Sequence, residues 1–171
     1  MAIVRVFDDE QAVKNAAAER LTSLIEQAVA SRNCATICLT GGRTPEVLYQ
    51  QLASPAHPWR SRIDWSRVHL FWGDERHVHP GHRDSNYGMA LRSLISRVPI
   101  PSGQVHRIRT ELPDASAAAQ EYRGALIEGF RQAGRADATF DIMLLGLGED
   151  AHIASLLPWS GILENPGSPE T

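Results

Sequence analysis

The sequence lacks the features that usually bring a protein to a membrane or to a nucleic acid. No stretch of the 171 residues contains the roughly 20 consecutive apolar side chains that a membrane-spanning helix needs. Lys and Arg (17) do not outnumber Asp and Glu (20), and the formal net charge of −3 leaves no overall positive field to attract nucleic acid or anionic lipid. These absences predict a small soluble partner, with no nucleic acid and no membrane.

Cysteine is scarce as well. Cys34 and Cys38 are the two cysteines of the chain, and both lie in the apolar run CATICLT. In a strand this spacing places them on one face about 13 Å apart, which is too far for a disulfide. We therefore predict two buried thiols. The N-terminal stretch MAIVRVFDDE shows no signal-peptide pattern, and we expect a cytoplasmic protein.

The length and the composition, 43% hydrophobic and 22% charged, are those of one folded domain. Apolar periodicity predicts strands at 3–7, 34–40, 67–74 and 140–148, helices at 8–33, 45–53, 86–96 and 114–134, and a short extended segment at 105–108. Thr44 is the predicted N-cap of the second helix, with Pro45 at its first position. This alternation predicts the α/β class with a mostly parallel sheet.

Three loops of unusual composition follow three of the predicted strands. Their sequences are TGGRTP, WGDERHVHPGHRDSNYG and GLGEDAHIASLLP. In sheets of this class, ligands bind at the carboxyl ends of the parallel strands. We therefore expect the three loops to meet at one crevice.

The first loop has the chemistry of a phosphate site. Gly41 and Gly42 precede a helix start, so free backbone N–H groups and the positive end of a helix dipole would face an anion, and Arg43 adds a positive charge. The alternative is a glycine pair that only turns the chain. The loop is not a Walker motif, because no Gly-Lys-Ser/Thr follows at the required spacing.

The second loop places Asp74 and Arg76 two positions apart, so in extended backbone both point to one side while Glu75 points away. A carboxylate there would position a hydroxyl or a proton, and an arginine would hold a phosphate. The alternative is a solvated run of charges. We expect no metal, because no cysteine or carboxylate pattern completes a known ligand spacing with the histidines of this loop, His77, His79 and His82.

The third loop imitates a dinucleotide-binding turn, with Gly146, Gly148 and Ala151 at the fingerprint spacing. No strand with a ribose-binding acid is predicted after it, so we expect no cofactor. His152 in this loop is a candidate general base whose tautomer would be set by Asp150 or Asp74, and the alternative is a structural histidine. No Gly-x-Ser-x-Gly elbow supplies a nucleophilic serine.

The segments LTGGRTPEVLYQQLA, VHLFWGDERHVHPGHRDSNYGMA and DIMLLGLGEDAHIASLLP resemble the 6-phosphogluconolactonase family of the pentose phosphate pathway. The resemblance implies a Rossmann-like, three-layer α/β/α fold and hydrolysis of 6-phospho-D-glucono-1,5-lactone without a cofactor. It also implies His152 as the general base and Asp74 as an orienting group. The residues it assigns to the phosphate and neighbouring hydroxyls are Gly41, Gly42, Arg43, Thr44 and Arg76.

Two other functions stay open. One is the related glucosamine-6-phosphate deaminase or isomerase, and the other is a sugar-phosphate binding protein without turnover. Ala151 and Ile153 replace a glycine and a threonine of the family loop, and Ile153 is typical of the deaminase version. If position 151 needs a positive φ, alanine strains the loop.

Relatives are expected to continue past this point, so residues 1–158 are expected to form an incomplete domain, with 159–171 as an irregular tail. The oligomeric state stays open.

Overall fold

A computed structural model of the chain describes residues 3–156 and residue 158. Within these residues it contains five α-helices and three β-strands. In chain order they are α1 (Glu10–Arg32), β1 (Ala35–Leu39), α2 (Arg43–Ala53), α3 (Trp59–Arg62), β2 (Val68–Trp72), α4 (Asn86–Ser93), α5 (Ala115–Gln132) and β3 (Ile142–Met143). Short 3₁₀ turns lie at Trp65–Arg67, Ile95–Arg97 and Ser102–Gln104.

The three strands form a parallel sheet in the order β2-β1-β3. Ile37 at the centre of β1 is the partner of Leu70 on one side and of Ile142 on the other. A single parallel bridge from Val105 to Leu70 adds the predicted segment 105–108 beside β2. The carboxyl ends of all three strands therefore point to one edge of the sheet.

Helices cover both faces of this sheet. On one face, Leu21 and Ile25 of α1 and Tyr49 of α2 are buried in one core cluster with Leu39 and Leu70 from the strands. Leu21 and Ile25 of α1 face the same side because every third or fourth residue of a helix lies on one face.

On the opposite face, the ring of Phe71 stacks on Phe130 of α5 at 5.1 Å between centroids. The Tyr122 hydroxyl of the same helix donates to the Trp72 carbonyl and accepts from the Trp72 N–H, at 2.9 and 2.8 Å. A sheet between two helical layers is the predicted α/β class, and that prediction is confirmed.

The first predicted strand is wrong. Residues 3–7 form no regular structure, and Ile3, Val4 and Val6 are 77–90% exposed. Alternating apolar residues make a strand only where a neighbouring strand accepts their hydrogen bonds. Among the described residues no strand pairs with this segment.

Several element boundaries also differ from the prediction, and two of these differences lie beside the three loops. α2 begins at Arg43 and its N-cap is Gly42, so Thr44 is not the cap, and Pro45 stands at the third helical position, where a missing N–H is still harmless. The last strand ends at Met143, because after the Leu144 N–H donates to the Cys38 carbonyl (2.9 Å) the chain turns into the third loop. The predicted tail at 159–171 lies outside the described residues.

Both cysteine thiols are free and buried, as the strand pattern predicts. Burial raises the pKa of the Cys38 thiol to about 11. None of the helices in the described part of the chain is long and apolar enough to cross a bilayer.

Candidate functional site

A cleft of about 500 Å³ lies at the carboxyl edge of the sheet, between the three loops. All seven residues singled out from the sequence line it, and they are Gly41, Gly42, Arg43, Thr44, Asp74, Arg76 and His152. Asn86 of α4 and the 145–148 segment complete much of the remaining wall. The predicted crevice is therefore a real cavity of a size that suits a small metabolite.

The first loop presents the N-terminus of α2 to the cleft. Gly42 has φ 109°, a conformation that a residue with a Cβ rarely adopts. A Cβ on Gly41 would lie 1.8 Å from the Asn86 side-chain oxygen, so only glycine lets these two loops approach so closely. Within the described residues, neither Arg43 nor Arg76 forms an ion pair with an acidic side chain. Both guanidinium groups therefore keep their charge available to an anion at this end.

Glu75 attaches the second loop to the start of α4, on the side away from the cleft. Its carboxylate accepts the backbone N–H groups of Asn86 and Tyr87, each at 2.7 Å, and the Ser85 hydroxyl at 3.2 Å. A negative charge at these free N–H groups stabilises the start of α4. Because Glu75 points to the helix, the alternation of the extended backbone directs Asp74 and Arg76 into the cleft, as the sequence predicted.

The third loop folds into a small hairpin. The Gly148 N–H donates to the His152 carbonyl at 2.9 Å, the Ala151 N–H donates to the Gly148 carbonyl at 3.0 Å, and Leu147 forms an antiparallel bridge with Ile153. No helix follows Gly148 in residues 149–156, whereas a dinucleotide-binding turn opens one. A Cβ on Gly148 would lie 2.2 Å from the His152 ring, so glycine is what lets the imidazole pack against this turn.

His152 and Asp150 form a pair inside this hairpin, with Nδ1 of the imidazole 2.5 Å from the Asp150 carboxylate. This hydrogen bond lowers the pKa of the Asp150 carboxyl below its ordinary value. An ionised carboxylate only accepts hydrogen bonds, so Nδ1 carries the proton and Nε2 of the neutral ring keeps a free lone pair. Of the two partners that the sequence left open, Asp150 is the one that sets the tautomer.

Of the two departures from the family loop, Ala151 has an unusual backbone conformation, with φ 66° in the left-handed region that favours glycine. Ala154, which is not a departure, has φ 53° in the same region. The conditional prediction of strain at position 151 therefore applies, at about 1–2 kcal/mol for a residue with a Cβ.

Two residues of the cleft region were missed from the sequence. The Asn86 amide donates to the Asp74 carbonyl at 3.2 Å, and the Ser155 hydroxyl donates to the Asp74 carboxylate at 2.7 Å. The sequence pattern places Asn86 only at a helix start and Ser155 only within the third loop. The position of Ser155 three residues after His152 is the one available signal.

The histidines of the second loop make local contacts. His79 accepts from the Gly81 N–H at 3.0 Å, His82 accepts from the Asp84 N–H at 3.2 Å, and His77 lies 3.3 Å from the Leu112 carbonyl. In the part of the chain that the structure describes, no cluster of three or more His, Cys, Asp or Glu side chains is arranged to hold a metal ion.

The described residues thus combine a parallel sheet between two helical layers with a glycine turn and a histidine hairpin at one edge of the sheet. Residues 8–168 match the family described as glucosamine-6-phosphate isomerases/6-phosphogluconolactonase. The chain belongs to this family.

Individual relatives are named as 6-phosphogluconolactonases, the second activity in that description. The 6-phosphogluconolactonase of Synechocystis sp. is 41% identical over 156 residues, which are 91% of this chain and 62% of the relative. That of Mycobacterium leprae is 40% identical over 161 residues, 92% of this chain and 63% of the relative. The crystal structure of 6-phosphogluconolactonase from Thermotoga maritima superposes with a TM-score of 0.77 at 30% identity, over 90% of this chain and 63% of that one. This chain thus spans a little over three-fifths of the length of these relatives.

Proposed function

We propose that the cleft binds 6-phospho-D-glucono-1,5-lactone and hydrolyses it to 6-phospho-D-gluconate, a step of the pentose phosphate pathway. The observation that carries the proposal is the His152–Asp150 pair in the same cavity as the turn at the start of α2. A proton acceptor and an anion site within one cleft suit a substrate with a carbonyl at one end and a phosphate at the other. Membership of the family and the names of the relatives support the same reaction.

The phosphate is proposed to lie against residues 41–44. The first N–H groups of α2 have no partner inside the helix, and the helix dipole adds partial positive charge at this point. Arg43 and Arg76 line the same cleft and supply full charges. The glycines let the backbone itself approach the phosphate.

The chemistry is proposed to begin at His152. Its Nε2 takes a proton from water while the water oxygen forms a bond to the lactone carbonyl carbon. The tetrahedral intermediate then breaks its bond to the ring oxygen, and the imidazolium returns the proton to that oxygen. The products are a hydroxyl and a carboxylic acid, which ionises. Asp150 stabilises the imidazolium in between, since a carboxylate on Nδ1 favours the charged ring.

Asp74 is proposed to orient groups at the site rather than to carry a proton. Its carboxylate accepts the Ser155 hydroxyl, and its carbonyl accepts the Asn86 amide. These bonds fix its direction. No metal and no cofactor takes part in the proposed steps.

The proposal is tested by following lactone loss by NMR with the purified chain and with buffer alone. We expect faster loss of 6-phosphogluconolactone than in buffer, and little acceleration for glucono-1,5-lactone, which lacks the phosphate. Arg43→Ala should raise KM about tenfold or more and change kcat less, because a charge-assisted contact to phosphate is removed. A folded chain that accelerates neither lactone would contradict the proposal.

The amino-sugar reaction is the second candidate, since the family description names both activities and Ile153 is typical of that version of the loop. Release of ammonia from glucosamine 6-phosphate would favour it, and phosphate-ester binding without turnover would favour a binding protein. The cytoplasmic location stays a prediction, and a relative from Oryza sativa is named as chloroplastic.

A further inference from the structure

The third loop is bonded mainly to itself, and few bonds hold it to the rest of the protein. Its backbone hydrogen bonds from Gly148, Ala151 and Leu156 all end within the loop, as does the bond between His152 and Asp150. Over residues 147–156, the one hydrogen bond to another part of the described chain runs from the Ser155 hydroxyl to the Asp74 carboxylate, 81 positions away.

The conformation of this loop also needs support. Ala151 and Ala154 both adopt positive φ, which alanine disfavours, and Leu147, Ile153 and Leu156 are all more than two-fifths exposed. Neither the backbone preference of these residues nor burial of their side chains therefore holds the hairpin against the sheet. A contact from outside the loop has a correspondingly large effect on where His152 lies.

Asp74 is well placed to provide that contact. It lies two residues after the end of β2, and its carbonyl and one carboxylate oxygen lie 3.2 and 3.5 Å from the amide of Asn86, a buried residue of α4. The Asn86 side chain packs against Gly41 of the first loop. Asp74 is thus anchored to α4 through Asn86, while its second carboxylate oxygen is 2.7 Å from Ser155.

We propose that Ser155 is a positioning residue that tethers the 147–156 hairpin to Asp74 and so holds His152 over the cleft. Ser155 does not react; it acts through His152 by limiting the movement of the loop. The kinetic consequence rests on the proposed lactone hydrolysis, whereas the tether itself does not. The bond is exposed to solvent, and its acceptor is a carboxylate oxygen, an acceptor that forms stronger hydrogen bonds than a neutral group does.

Amide hydrogen exchange tests the tether without any need for activity. In Ser155→Ala, the amides of Gly148 and Ala151 should exchange about tenfold faster or more, because loss of a bond to a charged group frees the loop to open. Ser155→Thr, which keeps the hydroxyl, should restore slow exchange, and Ser102→Ala removes a serine hydroxyl far from the loop as a control. Asp74→Ala should act like Ser155→Ala, and the double variant should add little to either. Wild-type exchange rates in Ser155→Ala would overturn the proposal.

Kinetics test the positioning role. Ser155→Ala should lower kcat about tenfold with a nearly unchanged KM, because the phosphate site at 41–44 is untouched. Faster exchange with unchanged kcat would show that the tether does not position His152 and would overturn that part. If even the wild-type chain does not hydrolyse the lactone, the proposed function fails, and the exchange rates alone decide whether the tether exists.

Discussion

Ala151 shows how a single residue can be read from the sequence only after its backbone conformation is known. Its φ of 66° favours glycine, and it directly precedes His152. The sequence showed that this residue departs from the family loop, but not which conformation the chain adopts there. In the structure, this departure places an alanine at a positive φ, which strains the loop that contains the proposed base.

We predict that Ala151→Gly stabilises the protein. Relief of about 1–2 kcal/mol of strain outweighs the greater freedom of glycine in the unfolded chain, so the free energy of unfolding should rise by about 0.5–1 kcal/mol. Ala30→Gly, at an exposed position inside α1, is the matched control and should lower it by about 0.5–1 kcal/mol. Urea denaturation measures both, and destabilisation by both changes would show that position 151 is not strained.

The seven cleft residues were predictable because each belongs to a loop that follows a predicted strand. Their supporting contacts were not. The bond from Ser155 to Asp74 joins residues 81 positions apart, and Asn86 reaches back across the start of its own helix. Such contacts depend on side-chain directions in the assembled fold, which no local pattern specifies.

At the scale of elements, β1, β2 and the long helices α1 and α5 agree with the prediction to within about two residues, because their apolar periodicity is strong. Asp9 caps α1 and Asp114 caps α5. Each carboxylate accepts a hydrogen bond from the backbone N–H of the residue three positions later, as is typical of an acidic N-cap. The segment 3–7 has an equally good strand pattern and no strand, because a strand is defined by its partner.

Glu75 illustrates the same limit for the second loop. Its direction away from the cleft follows from the period of extended backbone. Its role as the acceptor at the start of α4 depends on where that helix lies, 11 residues later in the chain. Glu75 therefore serves both the start of α4 and the site, because its direction also determines where Asp74 and Arg76 point.

At the scale of the whole molecule, a partly buried pair of histidines joins the sheet to the segment that bridges β2. His69 Nδ1 lies 3.1 Å from His106 Nε2, and the His106 ring stacks on Phe71 at 4.5 Å. Burial lowers the pKa of both imidazoles, and His69 lowers that of His106 further, to about 4. One ring donates and the other accepts, and because the pKa of both imidazoles is lowered, both rings are neutral at pH 7.

This pair predicts a loss of stability in mild acid. Because the folded pKa of His106 is below its ordinary 6.5, the unfolded chain binds the proton first, and stability is fully present above about pH 6.5 and falls toward pH 4. We expect a loss of about 1–3 kcal/mol over this range. Carboxyl groups such as Glu19, whose hydrogen bond from Arg62 lowers its pKa to about 2, lose their contribution only below about pH 4.5.

Denaturation at pH 7.5 and pH 5 checks the prediction. His106→Gln removes the titrating ring and should flatten the dependence on pH, whereas His82→Gln, at an exposed position in the second loop, should leave it as in the wild type. An equally steep dependence in His106→Gln would assign the acid sensitivity to other groups.

The central claim, that the cleft hydrolyses a phosphorylated lactone with His152 as its base, is tested most directly by comparing lactone loss in the wild type and in His152→Ala, with 6-phosphogluconate binding measured on both. Removal of a general base should lower the enzymatic rate by about 10²–10⁴-fold, while affinity for the product stays within about threefold because the phosphate contacts remain. A wild-type rate in His152→Ala would contradict the account.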